Sequence, residues 1–131
     1  MSEKRADPPA QVIRDYKDLQ VWQKGMALAK QIYQMTQAFP SEEKFGIVSQ
    51  MRRAAVSVPS NIAEGQARNT TGEFVQFLSH AEGSLAELDT QVRVSVTLGF
   101  CRQPDGESVS ASITELQKML KSLRGKLAAR H

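Results

Sequence analysis

The 131-residue sequence contains a single cysteine, Cys101, so no disulfide can form within the chain. The residue reads as a reduced thiol. Histidine is almost as scarce: only His80 and the final residue, His131, are present. A di-iron site in a helical bundle needs Glu-x-x-His pairs on two helices, and neither histidine has a glutamate three residues before it. No Cys–His or Ser–His pairing suggests a nucleophile activated by a base. The glycines are scattered rather than gathered into a phosphate-cradling loop. Catalytic residues, a metal, a cofactor and a small-molecule substrate are therefore not expected.

Long apolar runs are also missing. None approaches the roughly 18–20 residues of a membrane span, and the opening residues lack a signal-peptide pattern. The expectation is a non-membrane protein of the cytoplasm. Aromatic residues make up only 6% of the chain against 40% apolar residues overall. That balance suits Leu-, Ala- and Val-rich helices packed in one domain.

What the chain does contain is helical periodicity. The stretch Gln50–Arg68, QMRRAAVSVPSNIAEGQAR, organises the rest. Val48, Met51, Ala55, Val58 and Ile62 recur at spacings of three and four, the stripe of a buried helix face. Arg53, Ser57, Ser60, Glu64 and Arg68 follow a polar stripe at similar spacing. Pro59 removes a backbone donor and its ring opposes the Ala55 carbonyl, so a kinked second helix is expected. Ser57, Ser60 and Asn61 can rebond the freed backbone groups. Two short helices meeting at Val58 is the alternative.

Three further segments share this pattern. The first helix carries two neighbouring stripes: Leu19, Trp22, Met26, Ala29, Tyr33 and Thr36, then Val21, Leu28, Ile32, Met35 and Phe39. One broad face suffices for a helix in a monomeric bundle. The surplus is assigned to an oligomer interface at Val21, Leu28, Ile32 and Met35. Ser41 is expected to cap the second helix, with Glu42 and Glu43 in its first turn. Thr70 and Glu73 make a capping box for the third, whose seam is Phe74, Leu78, Ala81, Leu85, Leu88 and Val92. Gln103-Pro104-Asp105-Gly106 reads as a turn, and Val109, Ile113, Leu116, Leu120, Leu123 and Leu127 mark the fourth helix. Gly65, Gly83 and Ser84 are small residues within helices, where close helix approach is the expected reason.

The fold predicted is all-α, an antiparallel up-down-up-down four-helix bundle over residues 16–131, preceded by a flexible tail over 1–15. Charge is unevenly divided. Residues 1–100 hold eleven basic and eleven acidic side chains, whereas residues 101–131 hold six basic and three acidic ones. Lys118, Lys121, Arg124, Lys126 and Arg130 therefore form a basic end on the last helix. Basic residues suit a helix C-terminus, so a solvated face is the default. Repeated around an oligomer, the same face becomes a phosphate-binding surface. Basic-aromatic interleaving, the mark of base-stacking platforms, is not evident. For Arg52, Arg53, Glu64 and Arg68 an ion-pair network at a helix or subunit contact is preferred over a phosphate-contacting face.

Several motifs resemble a known family. They are Leu19-Gln20-Val21-Trp22-Gln23-Lys24, the run from Gln50 to Gly65, Glu73-Phe74 with Phe77-Leu78, and Gly83-Ser84-Leu85-Ala86-Glu87-Leu88. Together they are similar to the bacterial 23S ribosomal RNA intervening-sequence proteins, also called S23, over about Tyr16 to Gly99; the last helix agrees in pattern only. On this resemblance Arg52, Arg53, Pro59, Asn61, Glu64, Gly65 and Arg68 are hallmark positions. The resemblance implies a four-helix bundle assembled as a homopentameric ring, associated with nucleic acid. It also implies kinship with the accessory protein of diversity-generating retroelements, which assists a reverse transcriptase. The resulting expectation is a non-enzymatic homo-oligomer that binds RNA through basic helix surfaces. The alternative is a protein-interaction scaffold or an accessory subunit of a nucleic-acid enzyme.

Overall fold

A computed structural model of the chain describes residues 15–130. The tail expected over 1–15 lies outside the described residues, apart from Asp15. Four helices account for most of the fold: α1 (Gln20–Thr36), α2 (Ile47–Gln66), α3 (Thr71–Thr97) and α4 (Gln103–Arg130). No strand occurs among the described residues.

Each helix packs on two others: α1 on α2 and α4, and α3 on the same two. Successive helices meet in reversed register. Arg52 of α2 reaches the end of α1 at Thr36, while Pro59 lies against Gly25. Ser57 and Met51 of α2 meet Ser84 and Ser95 of α3. Arg124 and Ser110 of α4 meet Glu82 and Asp89 of α3. The seam residues expected on α2 are all buried, as are Leu78, Ala81, Leu85, Leu88 and Val92 of α3 and Val109, Ile113, Leu116 and Leu120 of α4. Phe74, Leu123 and Leu127 pack at the edge of this core.

Three expectations need correction. The stripe Val21, Leu28, Ile32 is core rather than an oligomer interface: these side chains are 5%, 2% and 0% exposed within one chain, and half-buried Met35 packs against them. Because α1 lies between α2 and α4, it needs two adjacent apolar stripes to cover both neighbours. The exposed side of α1 carries Met26 and Tyr33 instead.

Ser41 does not cap α2. It opens a one-turn 3-10 helix, Ser41–Glu43, and α2 starts at Ile47 after Gly46 (φ −106°, ψ −116°). Those angles lie outside the helical region, so the two cannot be one helix.

Gln103-Pro104-Asp105-Gly106 is the first turn of α4, not the reversal before it. Proline is tolerated there because first-turn N–H groups have no intrahelical partner. The reversal is made by Gly99 at φ 80°. Phe100 N–H donates to the Ser95 carbonyl (2.9 Å) and Gly99 N–H to that of Val96 (3.0 Å), which together make a Schellman cap. Phe100 then packs on Phe39, with ring centroids 5.8 Å apart.

α2 runs unbroken through Pro59. Beside the proline, Ser57 Oγ donates to the Ala54 carbonyl (2.8 Å) and shares a 2.6 Å hydrogen bond with Ser84 Oγ. Asn61 Nδ2 donates to the Ser57 carbonyl (2.8 Å). Ser60 is exposed. The Thr70 cap on α3 is present, its hydroxyl accepting from Glu73 N–H at 3.2 Å.

Candidate nucleic-acid interface

Arg52, Pro59 and Gly65 among the hallmark residues of α2 sit at its contacts with neighbouring helices. Arg52 Nε donates to Thr36 Oγ1 (2.9 Å) and its Nη2 to the Tyr33 carbonyl (3.3 Å), while its guanidinium lies 4.4 Å from the Tyr33 ring centroid. The arginine therefore ties α2 to the last turn of α1. Pro59 is buried against Gly25, and Asn61 supports its own helix. A Cβ on Gly65 would lie 2.7 Å from Phe77 Cβ, so only glycine permits that approach of α2 to α3. Gly83 has open space around it, so close packing does not explain that residue.

Arg68 stands 3.9 Å from Glu64 and places its guanidinium 4.8 Å from the Phe77 ring centroid. The ion pair is exposed and contributes at most about 0.3–0.5 kcal/mol. Arg53 differs from all of these. It is exposed and has no hydrogen bond or ion pair to any described residue.

The basic end of α4 divides in the same way. Arg124 is engaged: Nε lies 2.7 Å from Glu82 Oε2 and Nη2 3.2 Å from Oε1, a two-point clamp across α3 and α4. The hydrogen bond and the charge of Glu82 both hold the guanidinium above its ordinary pKa. Its positive charge is largely answered within the fold. Lys118, Lys121 and Lys126 are exposed and unpaired among the described residues. Glu115, the acidic residue before them on α4, is drawn toward α1 by Lys24 at 3.3 Å. Lys118 and Lys126 border a groove of about 650 Å³, which Asp18 and Leu19 line from just before α1, Val21 from α1, and Met119 and Leu123 from α4. The side chain of Arg130 lies outside the described residues.

A second groove, about 730 Å³, runs along the outer side of α2 and was not foreseen. Tyr33 comes to it from α1, Lys44 and Phe45 from the connection, and Ser49, Arg52, Arg53, Val56, Ser60 and Glu64 from α2. Phe45 is 89% exposed. In the sequence it stands three residues before Val48 and so resembles the next member of the α2 seam. The break at Gly46 removes it from that seam and leaves the ring in solvent.

Among the described residues, no group of three or more His, Cys, Asp or Glu side chains could hold a metal ion. No described helix is long and apolar enough to cross a membrane.

The fold has a solved counterpart. A protein of unknown function from the S23 ribosomal protein family of Bacteroides thetaiotaomicron superposes with a TM-score of 0.74. The two are 23% identical, over 79% of this chain and 97% of that one. No curated protein matches the chain. The model of the 23S rRNA-intervening sequence proteins matches residues 17–122, past the end of α3 and well into α4. With that span matched, the chain belongs to the 23S rRNA-intervening sequence protein family.

Proposed function

We propose that this protein is a non-enzymatic, cytoplasmic nucleic-acid-binding bundle that works as a homo-oligomer, a pentameric ring in the manner the family resemblance implies. The observation that carries the reading is the set of exposed lysines on α4: Lys118, Lys121 and Lys126 face solvent and make no ion pair among the described residues, although Asp18 lines the groove that Lys118 and Lys126 border. Repeated in each subunit, these cations would give phosphate contacts whose strength depends on salt and not on sequence. A subunit contact would cover exposed Met26 on α1, exposed Val94 on α3 and exposed Leu98 at the C-cap of α3.

The same apolar side chains favour a second reading, a scaffold or accessory subunit that binds a protein rather than RNA. Fluorescence anisotropy with ribosomal and unrelated RNA fragments at two salt concentrations separates the two. The protein should be free of nuclease-sensitive contaminants and its mass established by light scattering. The first reading expects binding that weakens steeply with salt and falls in the Lys118→Glu/Lys121→Glu variant. An intact oligomer that binds no RNA at low salt would leave the scaffold.

A further inference from the structure

We infer that the groove along α2 is a site for single-stranded nucleic acid, with a base stacked on Phe45 and the adjoining phosphates held by Arg53 and Lys44. The inference rests on the nucleic-acid reading above but not on the α4 lysines.

The charge lining the groove is predominantly positive. Lys44, Arg52 and Arg53 supply three cations, none within ion-pair distance of a carboxylate among the described residues. Arg52 spends its hydrogen bonds on a hydroxyl and a carbonyl, which fix its position but leave its charge unanswered. Glu64, the groove's one carboxylate, lies 3.9 Å from Arg68. The groove also flanks the start of α2, whose first turn carries no acidic residue, while the Glu43 carboxylate lies beside Gly46 just before it, its Oε1 2.9 Å from where a Cβ on that glycine would stand. An anionic ligand is what this field selects.

The aromatics narrow the class. Phe45 has no packing role that would account for a phenyl ring left 89% exposed, and Lys44 Nζ stands 5.5 Å from its centroid. Tyr33, on the opposite wall, already carries the Arg52 guanidinium 4.4 Å from its ring centroid. Aromatic rings and guanidinium planes alternating with free cations match unstacked bases and the backbone between them. A duplex hides its base faces and would gain only the phosphate contacts. At about 730 Å³ the groove falls within the roughly 300–1,000 Å³ of ligand clefts. The interleaving is a property of the fold: Tyr33 and Phe45 sit on different elements and are joined to Arg53 only when α1 packs on α2.

The test compares a short unstructured RNA carrying one 2-aminopurine with an RNA duplex of equal length. Both are titrated against wild type, Phe45→Ala, Arg53→Gln and Lys118→Glu/Lys121→Glu. Loss of one base–aromatic stack should weaken single-strand binding by between about 5-fold and 150-fold in Phe45→Ala. It should also abolish the 2-aminopurine quench while duplex affinity is unchanged. Arg53→Gln should lower the salt dependence of single-strand binding by about one phosphate contact. Single-strand binding by Phe45→Ala at wild-type strength would overturn the inference and leave the α4 reading standing. Failure of wild type to bind either RNA at low salt would remove both. A change in the light-scattering mass of Phe45→Ala would identify the groove as a subunit contact and overturn the site.

Discussion

Gly25 of α1 lies directly against Pro59 of α2, so that a Cβ on the glycine would stand 3.4 Å from both Cβ and Cδ of the proline. The proline thus serves as a packing surface at the α1–α2 crossing. A methyl group at Gly25 makes an ordinary contact there, and alanine gains up to about 1 kcal/mol of helix propensity over glycine. Gly65 presents the opposite case, with its added Cβ at 2.7 Å from Phe77 Cβ and 2.9 Å from Phe74 Cδ1. Phe77 Cβ moves only with its backbone, so α2 and α3 would have to part, at a cost of about 1–3 kcal/mol. Urea midpoints should show Gly25→Ala unchanged or slightly raised and Gly65→Ala clearly lowered. Equal stability of Gly65→Ala and wild type would mean that the α2–α3 approach is not limiting.

Gly99 is required for its backbone and not for space. Its φ is 80°, and nothing would lie within 4 Å of an added Cβ. Alanine in the left-handed region should cost about 1–2 kcal/mol, whereas Gly99→Asn should lose less, because asparagine visits that region more readily. Equal melting temperatures for the two variants would detach the Schellman cap from the stability of the α3–α4 reversal.

Cys101 should label slowly. Burial raises its thiol pKa and the charge of Asp105 raises it further, while Sγ donates to the Arg102 carbonyl at 3.3 Å. The thiol's contribution to stability is present below the unfolded-state pKa of about 8.5 and is lost as pH rises through the higher folded value. Labelling by iodoacetamide should need a higher pH than a free thiol, and Asp105→Asn should accelerate it modestly, since burial is the larger cause. Labelling at the rate of a small-molecule thiol would refute this environment.

Much of the bundle is legible in the sequence because a buried helix face repeats every three or four residues. Met51, Ala55, Val58 and Ile62 identify themselves in this way, as do Leu85, Leu88 and Val92. Thr70 and Glu73 mark a helix start through local chemistry. What periodicity cannot reveal is how many neighbours a helix has. Val21, Leu28 and Ile32 suggest a surplus face until α1 is found between α2 and α4. Nor can it separate a seam from its apparent continuation, which is why Phe45 escapes notice. The groove beside it depends on Tyr33, Phe45 and Arg53 meeting across two helices and a break at Gly46. No local signal records that meeting.

Arg124 shows why a count of positive residues misjudges a surface. Its guanidinium meets both oxygens of Glu82, whose side chain is only 14% exposed, and so links α4 to α3. Arg124→Glu would set two carboxylates face to face in a half-covered position, and like charges there are destabilising. A loss of RNA affinity in that variant would then report a loosened α3–α4 contact as readily as a lost phosphate contact. The exchange Glu82→Arg/Arg124→Glu conserves net charge and restores an opposite pair. Its melting temperature should recover most of what Arg124→Glu loses. If the exchanged protein also binds RNA like wild type while Lys118→Glu/Lys121→Glu does not, the binding charge belongs to the free lysines and Arg124 serves the fold. Should the exchange melt as early as the single variant, the clamp depends on the packing of these particular side chains and not on their opposite charge.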